Sequence, residues 1–174
     1  DGKIKRYTLA IVHRQENTDN KDSVGSIIAA LMEIGKECPV IFPLHPGTKK
    51  TLTDCNIDIS SSNTILKAIP PVSYLDMLLL KKKASVILTD SGGVQKEAYF
   101  FKVPCVTLRE ETEWVETVDS KCNFIAGHST EKILFEYNHS LHVNPSNFKV
   151  SVFGNGRACE KIVDLLKDMK RSDQ

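Results

Sequence analysis

Two glycines follow a serine in Thr89-Asp90-Ser91-Gly92-Gly93-Val94-Gln95-Lys96-Glu97, directly after a β-branched run. At the start of a helix such glycines leave backbone N–H groups open to an anion, and the helix dipole adds to the attraction. The spacing is neither a Walker sequence nor G-x-G-x-x-G, so a nucleoside triphosphate or dinucleotide is not specifically indicated. With a helix opening near Gly92, Glu97 lies about 7.5 Å further along its axis at ~1.5 Å per residue, roughly one sugar away from a phosphate at the helix start. A carboxylate there can accept from both hydroxyls of a ribose. A tight strand-to-helix turn with Glu97 on a solvated face is the competing reading of the same residues.

Other residues at strand ends add to this edge. His13 and Arg14 close the first strand pattern, and the Arg14 guanidinium offers a fork that can hold a pair of phosphate oxygens. His45 follows another strand, so two post-strand histidines and the glycine turn converge. His128, His139 and His142 have no partners at ligand spacing and read as surface residues. Cys38, Cys55, Cys105, Cys122 and Cys159 are odd in number and widely spread, which suggests neither a disulfide framework nor a zinc knuckle. Neither a metal nor a cofactor is expected.

Short β-branched runs alternate with amphipathic stretches along the whole chain, the βαβ signature. Strands are expected at Tyr7–His13, Pro39–Leu44, Thr64–Ile69, Ser85–Thr89, Val103–Leu108 and Asn123–Ala126. Helices are expected at Asp22–Lys36, Thr48–Asp54, Ser73–Lys82 with Ser73 as N-cap, from Ser91-Gly92-Gly93 onward, around Glu113–Val118, at Thr130–Tyr137 and at Arg157–Lys170. Right-handed crossovers then give an α/β fold, a Rossmann-like parallel sheet with helices on both faces. Ligands of such sheets sit beyond the carboxyl ends of the strands, where His13 to Asn17, His45 to Gly47, Asp90 to Gly93 and Arg109 to Glu116 all fall.

Composition fits one domain: 174 residues, 41% hydrophobic, 26% charged, net charge +1. A chain of this length buries roughly 70% of its unfolded surface and needs no staple. Met77–Leu80 is far short of the ~20 apolar residues of a membrane helix, and residues 1–15 are too charged for a secretory signal. Lys81-Lys82-Lys83 closes a helical pattern, where cations offset the negative end of the dipole. Neither nucleic acid nor a membrane is an expected partner, and a reducing cytoplasm is the expected location.

Several motifs in order, HRQEN at 13–17, FPLHPGTKK at 42–50, YLDMLLLKKKA at 74–84, TDSGGVQKEA at 89–98, VPCVTLR at 103–109 and FGNGRA at 153–158, resemble the C-terminal half of the non-hydrolysing UDP-N-acetylglucosamine 2-epimerases. The resemblance implies two facing Rossmann-type domains, the glycosyltransferase-B arrangement. Residues 1–174 would be the single UDP-binding second domain, and its last helix, about 157–171, would pack toward an N-terminal domain outside this chain. It further implies His13 as a catalytic group beside the diphosphate, and Arg14 and His45 near a second, regulatory nucleotide-sugar site. Ser91, Gly92 and Gly93 would be the phosphate cradle, Glu97 the ribose acid, and Val72 and Met77 backbone contacts of the uracil.

Three departures stand out. Gln15 and Gly47 occupy places where arginine is frequent, and Glu111-Thr112-Glu113-Trp114-Val115-Glu116 replaces T-T-E-R-P-E, which puts Trp114 at a substrate-contacting arginine position. Either Arg109, just before this loop, takes over that charge, or the full enzyme acts on a modified sugar such as a diacetamido uronic acid, or Trp114 only packs the short helix against the sheet. The reaction implied is elimination of UDP across C1–C2 of UDP-GlcNAc to a glycal and re-addition with C2 inverted to UDP-ManNAc, in cell-surface polysaccharide biosynthesis. Its acid–base carboxylates lie in the N-terminal domain, and the full-length form would be a homodimer. The alternatives are a UDP-2,3-diacetamido-glucuronate 2-epimerase of the same family, a glycosyltransferase-B nucleotide-binding domain, or a nucleotide-sugar sensor.

Overall fold

The structure, a computed structural model, describes residues 6–59 and 65–172. Thr8–Ile11 (β1) and Val86–Thr89 (β4) are buried at every position, as strands covered on both faces must be. They pair in parallel, Thr8 opposite Val86 and Ile11 opposite Thr89. Val40–Pro43 (β2) and Leu66–Ile69 (β3) extend the sheet on one side, Cys105–Thr107 (β5) and Asn123–Ile125 (β6) on the other. The order is β3-β2-β1-β4-β5-β6, all parallel. Because the order reverses between β1 and β4, the crossovers diverge there and leave a crevice at the carboxyl edge.

The helices are Gln15–Thr18 (α1), Lys21–Glu37 (α2), Pro46–Asp54 (α3), Tyr74–Lys83 (α4), Gly92–Phe101 (α5), Val115–Asp119 (α6), Thr130–Ser140 (α7) and Ala158–Ser172 (α8). In α2, Val24, Ile27, Ile28, Leu31 and Ile34 form one buried stripe, and the Asn20 side chain caps the first turn by accepting from the N–H groups of Asp22 and Ser23. This stripe, with Leu52 of α3 and Ile133 of α7, packs on one face of the sheet. Val94 and Ala98 of α5, with Met77 and Leu80 of α4, pack on the other. Ser73 caps α4, as its position implies, by accepting from Asp76 N–H.

Some boundaries differ from the sequence expectation. Residues 15–18 form α1, a short helix that the sequence pattern does not indicate, because a buried contact described below folds the chain back. α3 starts at Pro46 instead of Thr48, with His45 as its cap. α6 starts at Val115 instead of Glu113, since Trp114 is held outside helical geometry at ψ 62°. Thr64, the expected start of the third strand, lies outside the described residues. The lysine run also divides: Lys82 and Lys83 are exposed at the end of α4, but Lys81 is buried.

In α8, Ile162, Val163, Leu165 and Leu166 are 48–65% exposed. Their spacing puts them on one stripe, and a continuous apolar stripe in water favours association. The 174-residue chain is therefore expected to self-associate with rising concentration in sedimentation velocity, and an Ile162→Lys/Leu166→Lys variant to stay monomeric. A native chain that is monomeric at all concentrations would contradict this.

Candidate functional site

The crevice between β1 and β4 is organised by Asp90, which follows β4 and is fully buried. Its carboxylate accepts from the backbone N–H of His13 at 3.1 and 3.2 Å, of Arg14 at 3.0 Å, and from Asn17 Nδ2 at 3.1 Å. Asn17 also donates to Leu108 O at 2.9 Å, which joins the end of β1 to the segment after β5. Several N–H donors on one carboxylate offset the cost of taking it out of water. The His13 ring stays partly exposed, with Nδ1 at 3.8 Å from Asp90 Oδ1.

Next to it, α5 opens at Gly92 with Ser91 extended and making no side-chain capping bond. The first-turn N–H groups at Gly92 and Gly93 thus have no capping acceptor from the Ser91 side chain. Gly92 has a further reason to lack a side chain: a Cβ there would lie 2.9 Å from Glu113 Oε2 and 3.4 Å from Trp114 Nε1. Trp114 Nε1 donates to Gly92 O at 2.8 Å, and Lys96 Nζ sits 4.1 Å from the indole centre. Trp114 therefore locks the 109–114 loop onto the mouth of α5.

Arg109 cannot freely take over the charge expected at position 114. It is buried, its Nη1 donates to Glu113 at 2.8 Å, and its Nε lies 3.5 Å from Glu16. The hydrogen bond from Arg109 holds the Glu113 carboxyl below the usual carboxylate range, and the same bond from Glu113 raises Arg109 further. Glu113 thus contributes stability at and above its ordinary titration range, which is withdrawn as pH falls through the lowered value. Arg14 approaches the same cluster more loosely, 3.8 Å from Glu113 and 3.9 Å from Glu16.

His45 faces His13, with ring centres 6.1 Å apart. Its Nδ1 accepts from Gly47 N–H at 3.2 Å, and Thr48 Oγ1 donates to Val12 O at 2.7 Å, fastening α3 to the end of β1. The two histidines share a cleft of about 600 Å³ with Gln15, Thr18, Gly47 and Lys50. Glu97, on the second turn of α5, does not stand on a solvated face: Lys81 Nζ of α4 contacts its Oε2 at 2.5 Å. Val72 precedes the α4 cap, and the Met77 side chain is spent on the core between α4 and the sheet. Among the described residues no three His, Cys, Asp or Glu side chains group to hold a metal ion, and no helix is long and apolar enough to cross a membrane.

Residues 2–167 match the family described as UDP-N-acetylglucosamine 2-epimerase. The chain belongs to that family. It is 47% identical over 167 residues to the UDP-N-acetylglucosamine 2-epimerase homolog of Methanococcus maripaludis, covering 95% of this chain and 45% of that protein. It is 38% identical to the UDP-2,3-diacetamido-2,3-dideoxy-D-glucuronate 2-epimerase of Pseudomonas aeruginosa, covering 92% and 44%. The crystal structure of Methanocaldococcus jannaschii UDP-GlcNAc 2-epimerase in complex with UDP-GlcNAc and UDP superposes with a TM-score of 0.85 at 43% identity, over 94% of this chain and 46% of that one. The chain spans about half the length of the relatives it matches.

In this epimerase-family chain the sequence reading missed Asp90 and Asn17 as organisers, although a carboxylate immediately after a fully buried strand is a signal in itself. It also missed Gln95, buried on the inner face of α5, whose Oε1 accepts from Thr112 at 2.5 Å and Asn123 at 3.2 Å and so ties α5 to the 109–114 loop and β6. Replacing Asp90 by Asn removes the charge and turns one acceptor oxygen into a donor that faces N–H groups. Asp90→Asn is expected to cost about 2–4 kcal/mol in chemical denaturation, since losing a buried charged partner exceeds the ~1–3 kcal/mol of a neutral one. Hydrogen exchange at the His13 and Arg14 amides should accelerate in parallel; unchanged protection there would refute the organising role.

Proposed function

We propose that the chain is the UDP-sugar-binding half of a UDP-N-acetylglucosamine 2-epimerase, an isomerase that interconverts UDP-GlcNAc and UDP-ManNAc. The observation that carries this reading is the uncapped start of α5 at the point where the sheet order reverses, with His13 and Arg14 held beside it by Asp90. In the forward direction a proton leaves C2 and the C1–O bond breaks with its electron pair remaining on the diphosphate. The glycal that results takes UDP back at C1 while a proton returns to C2 on the opposite face.

This chain's part is to bind and to stabilise the leaving group. The Ser91–Gly93 N–H groups and His13 meet the charge that develops on the diphosphate. Glu97 accepts from the ribose hydroxyls, and backbone atoms at Val72 and Met77 meet the uracil. Arg14 and His45 line the regulatory nucleotide-sugar site, in the cleft that the two histidines share. The groups that move the C2 proton belong to an N-terminal domain, against which the apolar stripe of α8 packs, and the whole enzyme is a cytoplasmic homodimer. Free thiols at all five cysteines of this chain suit that compartment. Trp114 lines the sugar side of the crevice. A diacetamido uronate is the second reading, favoured by Arg109, which donates to Glu113 and so is not free to stand in for the arginine missing at position 114.

One substitution separates binding from stability. A Cβ at Gly93 meets only Ser91 Oγ, at 3.9 Å, so the site has room. In Gly93→Asp a carboxylate favours the helix start by roughly 0.3–1 kcal/mol yet repels a diphosphate. Calorimetry is expected to show UDP binding to the native chain and at least a tenfold loss in Gly93→Asp, with an equal or higher thermal midpoint. UDP-GlcNAc offered without any acceptor should be converted only when the N-terminal domain is present. Unchanged UDP affinity in Gly93→Asp would remove the phosphate assignment.

A further inference from the structure

We infer that Lys81 is a positioning residue for the nucleotide, holding the Glu97 carboxylate in the orientation that receives the ribose. This rests on the proposed role of Glu97 as the ribose acid. Lys81 has a side chain only 5% exposed, and its charge partner among the described residues is Glu97 Oε2, at 2.5 Å. Its neighbours Lys82 and Lys83 are exposed. Lys81 stands four residues after Met77, on the stripe of α4 that faces the sheet and α5.

The geometry explains how a residue at the far end of α4 serves the ligand edge. Both α4 and α5 start at the carboxyl edge of the sheet and run away from it. Side chains on a helix lean toward its N-terminus. The long Lys81 chain therefore returns toward the edge and meets Glu97 on the second turn of α5. Burial restricts the lysine, which restricts the carboxylate in turn, so less freedom is lost when a ligand arrives. Glu97 keeps 28% of its side chain exposed, and its Oε1 has no hydrogen-bond partner among the described residues. A carboxylate has about four acceptor positions, so one ammonium leaves room for two hydroxyls.

A pair that merely ties α4 to α5 would affect all ligands alike, and this separates the two roles. The 174-residue chain, native and Lys81→Met, is titrated calorimetrically with UDP and with 2′,3′-dideoxy-UDP, which lacks the hydroxyls. The native chain is expected to prefer UDP by about tenfold or more, the worth of a charge-assisted hydrogen bond. Lys81→Met should weaken UDP alone and bring the ratio near one. If Lys81→Met does not fold, Lys81→Gln, which keeps a shorter neutral donor, carries the same comparison. A preference kept in the variant overturns the inference and spares Glu97, as does equal weakening of both ligands, which makes the pair structural. Equal binding of both ligands by the native chain overturns the role of Glu97 and the inference with it.

Discussion

One buried carboxylate determines where everything else at the crevice can stand. Asp90 sits where β4 ends, at the reversal of strand order, and collects N–H donors from the segment that leaves β1. A charge in that position is tolerable only while those donors are present, so the path of residues 13–17 is not free to vary. The short α1 helix, the direction of the His13 and Arg14 side chains and, through Asn17, the anchoring of the chain after β5 all follow. The carboxylate thereby fixes the strand ends while leaving the imidazole and guanidinium beside the open start of α5.

The mouth of α5 is shaped as much by what approaches it from β5 as by its own glycines. Arg109 and Glu113 brace the loop, and the Trp114 indole returns a hydrogen bond to Gly92 O. At position 92 a side chain would crowd Glu113 Oε2 and Trp114 Nε1, so glycine keeps the helix start accessible between them. With an arginine in place of Trp114 the flat contact with Lys96 and the edge contact with Phe153 would be lost. In this chain position 114 has a packing function whatever it also does for a sugar.

Charge around the crevice is paired locally. Arg109 with Glu113 and Lys81 with Glu97 each leave the cation buried and the carboxylate partly exposed. Removing an open partner therefore strands a buried cation, which costs far more than the exposed residue alone suggests. Binding and folding are coupled at Glu97 for this reason, whereas Gly93 lies outside such a pair.

Strand and helix order, the parallel α/β class, the Ser73 cap and the clustering of His13, His45 and Ser91–Gly93 on one edge were legible in the sequence, because each depends on local periodicity or on which residue follows a strand. Family membership was legible for a similar reason, in ordered motifs. The roles of Asp90, Asn17 and Lys81, and the partner of Trp114, were not. Asp90 meets His13 across 77 positions, Lys81 meets Glu97 across 16, and Trp114 meets Gly92 across 22. Such meetings depend on the strand register and on the angle at which α4 packs beside α5. Three consecutive lysines are equivalent in composition and helix propensity, and only the packed face of α4 decides that Lys81 alone turns inward toward a carboxylate.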